Sequence, residues 1–283
     1  MPELPEVEIL VRHLGPLLQG RTIREVEVRR PKIVAPTRVH VFRKTLQQAR
    51  FTGVSRRGKY LRFALEKPGD PEPVQLLGHL GMTGRMYLLP AGVPLPKHAA
   101  VVLGLDRHRF VFEDTRYFGR LTLDTRPLAR LGPEPLTEQF TAQEFHRQLS
   151  RSKQPIKLKL LDQTVVAGVG NIYASEALFR ARISPRTPAR RLRLEQVQRL
   201  WRAIRDVLRI AIECGSTVPL NLDGEGTGDK LFYFGRADDA TGFYAERLRV
   251  YDRAGHPCPR CGTLIRRIVQ GARSTFFCPG CQR

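Results

Sequence analysis

The sequence predicts an α+β fold in which a β-rich domain precedes a helical one, and three observations support this. Short runs of alternating apolar and polar residues, separated by Gly and Pro, fill residues 21–125. Beyond residue 136 the apolar residues recur with the 3.6-residue period of a helix. Near the C-terminus, four of the five cysteines form two Cys-x-x-Cys pairs. A chain of 283 residues has the length for two domains of ordinary size.

A predicted helix opens the chain. Between residues 5 and 18 the apolar side chains follow near-helical spacing, and Pro5 fits a first turn. The strand-like runs that follow predict a β-sandwich or a barrel-like domain over 1–130. The segment LGPEPL at 131–136 has the composition of a linker. Helical periods then predict a second domain over 137–240, with helices at 142–150, 156–162, 171–181 and from 194. The cysteine pairs predict a metal-binding region over 241–283.

The charge balance indicates a polyanionic partner. Lys and Arg total 48 against 27 Asp and Glu, so the formal net charge is +21, and nucleic acid is the partner that this excess most simply predicts. A ribosome-associated protein, or one with a merely basic surface, fits the same charge. The longest apolar runs fall short of the roughly 18 residues of a membrane span, and MPELPEVEIL has carboxylates where a signal peptide is basic. We therefore expect a folded, cytoplasmic protein associated with the nucleoid.

The cysteine spacing predicts a structural zinc site. Cys258 and Cys261 are followed, after 16 residues, by Cys278 and Cys281. Two such pairs joined by a short hairpin can close a tetrahedral thiolate shell that has no open position. Disulfides are the alternative, but nothing in the sequence points to secretion. Cys214 stands apart at the end of a predicted helix, where we expect a buried core thiol.

The first three residues carry a potential nucleophile. Removal of Met1 would leave Pro2 as a free secondary amine, and an α-amino group titrates near 8. The positive end of the following helix disfavours its charged form further. Such an amine can attack the anomeric carbon of a sugar and give an iminium that promotes strand cleavage. Pro2 and Glu3 are also ordinary residues for a first helical turn.

A second segment with chemical potential is GVGNIYASEALF at 168–179. Its two glycines can bring the backbone close to a ligand, Asn171 can cap the next helix, and the free N–H groups there can bind a phosphate. Lys153, Lys157 and Lys159, just upstream, would add cationic contacts. A tight turn between packed helices accounts for the same residues without a ligand.

Two loops of the β domain combine apolar side chains with a cation. HLGMTGRMY contains Met82, and DTRYFGR contains Arg116 and Phe118. These side chains could enter a DNA duplex and fill the space of an extruded base. By composition alone, Met82 and Phe118 are more typical of core residues.

Together these segments resemble the formamidopyrimidine-DNA glycosylase family of bifunctional glycosylase/lyases. The motifs occur in that family's order from residue 2 to 282: MPELPEVE, GKYL around Lys59, HLGMTGR, KH at 97–98, DTRYFGR, LGPEPL, VAGVGNIYASEALF and RSTFFCPGCQ. PELPEVE is the most diagnostic string, since the sister endonuclease VIII branch has PEGPE there. The resemblance implies an N-terminal β-sandwich with a leading helix, a helix-two-turn-helix domain and a zinc-finger hairpin.

The resemblance also implies roles for individual residues. Pro2 matches the Schiff-base nucleophile and Glu3 the general acid/base near the sugar. Lys59 matches a lysine that assists base loss and β-elimination, and Arg273 an arginine of phosphate binding and δ-elimination. Further matches are lesion-pocket glutamates at Glu6 and Glu176, phosphate-binding positions at His98, Lys157 and Asn171, and a void-filling trio at Met82, Arg116 and Phe118.

The implied activity is excision of oxidised purines, formamidopyrimidines and 8-oxoguanine, from duplex DNA, followed by β,δ-elimination, in a monomer with one structural Zn²⁺. Two departures bear on this. The chain has Gly-Ser-Thr-Val at 215–218, where the family's capping loop usually begins Gly-Gly-Thr-Thr, and Tyr117 stands where Arg is frequent. Endonuclease VIII-like preference for oxidised pyrimidines or abasic sites, and non-catalytic binding of damaged DNA, are the alternatives.

Overall fold

The computed structural model describes residues 2–70, 72–214 and 247–283, which fall into two units. The first unit contains Pro2 and Glu6–Ala129, and the second contains Glu3–Pro5 with residues 130–214 and 247–283. Among the described residues, no helix is both long and apolar enough to cross a bilayer.

The first unit is built on two four-stranded antiparallel sheets. The hydrogen-bonded order is β1-β6-β7-β5 in one sheet and β2-β3-β4-β8 in the other. The strands are β1 (Glu25–Val28), β2 (Arg50–Arg57), β3 (Tyr60–Glu66), β4 (Val74–His79), β5 (Gly84–Pro90), β6 (Ala99–Leu105), β7 (His108–Asp114) and β8 (Arg120–Thr122).

The two sheets pack face to face through aromatic side chains. The ring of Phe110 on β7 lies 5.6 Å from that of Phe63 on β3, edge to face, and 6.5 Å from that of Phe51 on β2. Aromatic side chains bury large apolar areas in a sandwich core. The β-sandwich, of the two predicted architectures, is therefore confirmed.

The helices of this unit differ in how visible they are in the sequence. The predicted opening helix is α1 (Leu4–Leu18), and its buried face follows the predicted spacing at Val7, Leu10, Leu14 and Leu18. Three short helices were not predicted: α2 (Pro31–Val34), α3 (Val39–Leu46) and α4 (Arg126–Ala129). Two of them have four residues each, about one turn, and the eight-residue α3 buries only Phe42 and Leu46.

The second unit is helical and ends in a β-hairpin, as predicted. Its elements are α5 (Ala142–Leu149), α6 (Ile156–Leu161), α7 (Asn171–Ala181), a 3₁₀ turn (Ala189–Arg191), α8 (Leu194–Glu213), β9 (Arg266–Gln270) and β10 (Arg273–Phe277). Eight of the eleven residues of α7 are buried, so α7 is the central helix of this unit. Cys214 is 7% exposed within the same core, which confirms the predicted buried thiol.

Candidate active site and nucleic-acid interface

The N-terminus of α7 holds the carboxylate of Glu3. Its Oε2 accepts the backbone N–H of Gly170 at 2.7 Å and of Tyr173 at 3.4 Å, and its Oε1 accepts that of Ile172 at 2.8 Å. Glu3 is 2% exposed. The first N–H groups of a helix lack partners within the helix and carry its positive dipole end. These N–H groups therefore hold the buried carboxylate in a fixed position.

The glycines before α7 serve this contact. A Cβ on Gly170 would lie 2.3 Å from Cδ of Glu3, and one on Gly168 would lie 2.6 Å from Cδ1 of Leu4. Gly168 also has a φ of +86°, which side chains rarely adopt. The prediction that these glycines admit an external ligand to free N–H groups is thus wrong: they admit the N-terminal segment of the chain itself.

The prediction that Asn171 caps α7 is wrong, because Gly170 occupies the N-cap position. Its side chain instead joins the helix to β10: Nδ2 donates to the carbonyl of Ser274 at 3.0 Å, and Oδ1 accepts from Nζ of Lys157 at 2.6 Å. Lys157 also donates to the Ser274 carbonyl at 2.9 Å and to Oγ1 of Thr275 at 2.6 Å. The three N–H bonds of the ammonium are therefore used inside the protein.

The Lys157 side chain is also 0% exposed, whereas the predicted phosphate contact needs an accessible side chain. Burial lowers the pKa of Lys157 to about 8, opposed by the negative charge of Glu3 and reinforced by the positive charge of Arg273. In this conformation Lys157 orients Asn171 and β10. Lys153 precedes α6 on the exposed surface.

Arg273 lies at the start of β10, directly after the hairpin turn. Gly271 and Ala272 form this turn and have φ values of +53° and +58°. Two positive φ values in a two-residue turn match the twist of antiparallel strands. The turn presents Arg273 on the exposed surface of the hairpin, and its charge reaches Lys157.

Glu176, in the second turn of α7, fixes the backbone that leads to the hairpin. Its carboxylate accepts the N–H groups of Arg249, Val250 and Tyr251, at 3.0, 2.9 and 2.9 Å. Burial raises the pKa of Glu176, opposed by these N–H donors. Burial also raises the pKa of Tyr251, whose side chain hydrogen-bonds Asn171. Sequence reasoning missed Tyr251, since VYDRAG has no spacing that marks it.

In the first unit, Lys59 lies in a hairpin turn. The register pairs Arg57 with Tyr60, so Gly58 and Lys59 form the turn between β2 and β3. Lys59 is 7% exposed. Burial and the charges of Lys59 and Arg120 lower the pKa of His79 to about 4.

His79 is therefore neutral at physiological pH, in agreement with its Nδ1, which accepts the N–H of Gly81 at 3.1 Å. Two other predicted residues lie in this unit. Pro2 is half-buried, and Glu6, on α1, is 1% exposed.

The predicted void-filling residues lie on two adjoining exposed loops of the first unit. Met82 is 45% and Phe118 is 50% exposed, so the core assignment that composition favours is wrong for both. The guanidinium of Arg116 lies 4.9 Å from the centre of the Phe118 ring. A Cβ on Gly81 would lie 2.7 Å from the backbone of Phe118. The two loops are thus in backbone contact.

Buried Asp114 holds both loops. Its Oδ1 accepts the hydroxyl of Thr83 at 2.6 Å and the N–H of Arg116 at 3.1 Å, and its Oδ2 accepts the N–H of Gly119 at 2.7 Å. Asp114 is 0% exposed. A buried carboxylate with several N–H and O–H donors is strongly held. The backbone of both loops is therefore fixed next to the exposed side chains.

The four predicted zinc ligands come together in the second unit. The Sγ atoms of Cys258, Cys261, Cys278 and Cys281 all lie within 4.8 Å of one another. A tetrahedral zinc with Zn–S bonds of about 2.3 Å separates its sulfurs by about 3.8 Å. The Sγ atoms of Cys258 and Cys281 lie 3.9 Å apart, and those of Cys261 and Cys278 lie 3.5 Å apart. The donor set fits Zn²⁺ in a closed structural site.

Three family models match the chain. The formamidopyrimidine-DNA glycosylase N-terminal domain matches residues 1–121, the H2TH domain of the same glycosylase matches 131–220, and the zinc finger found in FPG and IleRS matches 255–283. The chain belongs to the formamidopyrimidine-DNA glycosylase family. The third match covers the four cysteines, so the protein has one structural zinc.

Relatives in this family match over the full chain. The formamidopyrimidine-DNA glycosylase of Thermus thermophilus is 44% identical over 289 aligned residues, covering 100% of this chain and 98% of that protein. The enzyme of Desulfitobacterium hafniense is 41% identical, with 100% of both chains covered.

Solved structures of this family show the same fold. The Lactococcus lactis Fpg in complex with DNA containing an abasic site has a TM-score of 0.86 and 33% identity over 99% of both chains. MutM in complex with DNA containing carbocyclic 8-oxo-G has a TM-score of 0.85 and 32% identity over 100% of both chains. These matches agree with the α+β architecture described above.

We expect Cys278→Ala to lower both zinc content and DNA affinity. Loss of one thiolate leaves three ligands, and structural zinc sites couple metal binding to folding. Metal analysis should give one zinc per chain for the wild type and less for the variant. Binding to duplex DNA should weaken, because loss of the metal unfolds the hairpin that carries Arg273. Cys214→Ala, which removes a buried thiol away from the cluster, should retain the zinc. Full zinc content in Cys278→Ala would contradict the four-cysteine site.

Proposed function

We propose that this protein is a base-excision-repair glycosylase that removes oxidised purines from duplex DNA and cleaves the resulting abasic strand. Its family membership supports this, as do similar structures solved on DNA with an abasic site, Fapy-dG or 8-oxo-G. The observation that carries the proposal is the locked carboxylate of Glu3. It fixes an acid/base group in the residue directly after the nucleophilic Pro2.

The proposed reaction begins at the amine of Pro2, after Met1 has been removed. The amine nitrogen forms a bond to C1′ of the damaged nucleoside while the bond from C1′ to the base breaks and the base takes up a proton. Opening of the sugar ring gives an iminium cation. This cation withdraws electrons from C2′, so that a C2′ proton can leave and the bond to the 3′ phosphate breaks in β-elimination. Loss of the C4′ proton then expels the 5′ phosphate in δ-elimination.

The flanking residues take the roles that the family resemblance implies. Glu3 moves the proton at the sugar as a general acid/base. Lys59 assists base loss and β-elimination, and Arg273 binds phosphate and assists δ-elimination. The exposed position of Arg273 after a tight turn supports its access to a DNA strand. Glu6 and Glu176 belong to the lesion pocket, Glu176 by fixing the backbone of residues 249–251.

Contacts to DNA are assigned to both units. Met82, Arg116 and Phe118 fill the space left by the extruded base, and their exposure supports this role. His98, Asn171 and Lys153 bind the phosphate backbone. Lys157 acts indirectly, because its donors are engaged by Asn171, Ser274 and Thr275. The enzyme works as a monomer on the chromosomal DNA of the cytoplasm.

A panel of single-lesion duplexes tests the proposed substrate class. We expect excision of 8-oxoguanine and formamidopyrimidine opposite cytosine, strand cleavage at an abasic site, and at least about 10-fold slower excision of thymine glycol. Faster excision of thymine glycol would favour the endonuclease VIII-like alternative. Binding without product on every duplex would favour a non-catalytic protein. The capping-loop departure at 215–218 lies outside the described residues, so the panel is also the direct test of its effect.

A further inference from the structure

Tyr117, between Arg116 and Phe118, has a backbone conformation that tyrosine rarely adopts. Its φ is +54°, in the left-handed region that favours glycine. The N–H groups on either side of it, of Arg116 and Gly119, both donate to the buried carboxylate of Asp114. The loop therefore holds the Tyr117 side chain in a defined direction against a backbone preference. Such positions concentrate at functional sites.

Two side chains from distant parts of the first unit meet Tyr117. The guanidinium of Arg30 lies 5.0 Å from the centre of its ring, within cation–π range. Nδ1 of His98 lies 3.3 Å from its hydroxyl oxygen. The backbone supports this grouping: the N–H of Arg30 donates to the Ala100 carbonyl at 3.1 Å, and the His98 carbonyl accepts the N–H of Asp114 at 3.1 Å.

The Tyr117 hydroxyl and the His98 ring fit one protonation state. When the hydroxyl donates to Nδ1, the neutral imidazole carries its proton on Nε2. His98 then offers one N–H donor, while Arg30 offers a planar set of N–H donors and a permanent positive charge. Both side chains are solvent-accessible: Arg30 is exposed and His98 is half-buried.

Arg30 differs from its neighbour in its ionic partners. Arg29 lies 3.5 Å from the carboxylate of Glu27. Within residues 2–70, 72–214 and 247–283, no carboxylate lies within ion-pair distance of Arg30. A guanidinium fixed by an aromatic face, with its charge not compensated by the described residues, suits an anionic ligand.

We propose that Arg30, Tyr117 and His98 form one phosphate-binding unit beside the void-filling residues Arg116 and Phe118, with Arg30 as a direct contact to the DNA backbone. This rests on the proposed function, since the phosphate is that of the damaged duplex. Tyr117 is a positioning residue: its ring holds Arg30 and its hydroxyl holds His98. Because Tyr117 carries no charge, Arg30 supplies the cation at this point of the loop.

The test measures affinity for a duplex with a tetrahydrofuran abasic analogue, which cannot form the Schiff base, at several salt concentrations. Arg30→Ala should raise Kd about 5-fold and reduce the slope of log K against log salt by about 0.9, the value of one released phosphate contact. The matched control, Arg29→Ala, should change Kd less than about 2-fold. Thermal unfolding of each variant checks that the fold is kept.

A double-mutant cycle tests whether Tyr117 acts through Arg30. Tyr117→Ala should lose the same salt slope as Arg30→Ala, because the neutral His98 ring adds no charge, and should bind at least as weakly, because His98 is released as well. The double variant should bind about as weakly as Tyr117→Ala alone. Equal Kd values for Arg30→Ala and Arg29→Ala would overturn the proposal. So would a loss of affinity in the double variant that equals the sum of the losses in the two single variants. If the wild type excises 8-oxoguanine and binds the analogue while Arg30→Ala is unchanged, this inference fails alone. If the wild type does neither, the proposed function fails with it.

Discussion

Replacement of Glu3 by Gln is expected to slow excision of 8-oxoguanine by about 10²–10⁴-fold, the usual contribution of a positioned acid/base group. The amide cannot take up and release the proton. It also places an NH₂ group against backbone donors, since both carboxylate oxygens now accept N–H groups of residues 170–173. Single-turnover excision measures the first effect and thermal unfolding the second.

Gly170→Ala separates the position of Glu3 from its chemistry. The added Cβ would lie 2.3 Å from Cδ of Glu3, so the carboxylate must move although its charge is kept. We expect at least about 10-fold slower excision, because small displacements at a reacting centre are costly. Gly92→Ala, where an added Cβ meets nothing within 4 Å, is the matched control and should be neutral. Wild-type excision by both Glu3→Gln and Gly170→Ala would exclude Glu3 from the reaction.

Pro2→Gly is expected to slow strand cleavage at an abasic site by about 10²-fold or more. The iminium of a secondary amine has no N–H to lose, so it keeps its positive charge. A primary amine can deprotonate to a neutral imine, which is a weaker electron sink. The rate of strand cleavage is measured from the formation of gapped product on a gel.

A second preparation controls for the identity of the amine. Protein that retains Met1 should be equally impaired, since Pro2 is then an amide. Affinity for the tetrahydrofuran duplex should change little in either preparation. Full cleavage by protein that retains Met1 would place the nucleophile elsewhere.

The sequence predicted the elements whose signal is local. α1, α7 and α8 carry long apolar periods, so their positions agree with prediction to within a few residues. The cysteine pairs predicted the metal site because two ligands come from each four-residue segment. The short helix α2 has a single turn, and α3 buries only Phe42 and Leu46, so neither shows a clear apolar period.

The site depended more on contacts between distant segments. Gly168 and Gly170 are as small as a phosphate-binding loop requires, but what approaches them is Glu3 and Leu4, over 160 residues away. Lys157 looked like a surface cation, and only its three acceptors on α7 and β10 show why it is buried. The grouping of Arg30 with Tyr117 likewise has no local spacing that predicts it.

The measurement that tests the central claim most directly is borohydride trapping on a duplex with one 8-oxoguanine opposite cytosine and on an abasic duplex, with mass spectrometry of the trapped peptide. We predict a covalent complex on both duplexes, with the reduced sugar on the N-terminal residue, Pro2. A trapped lysine, or the absence of any complex from protein that lacks Met1, would contradict the amine mechanism. Trapping on the abasic duplex alone would keep the lyase and contradict the oxidised-purine substrate.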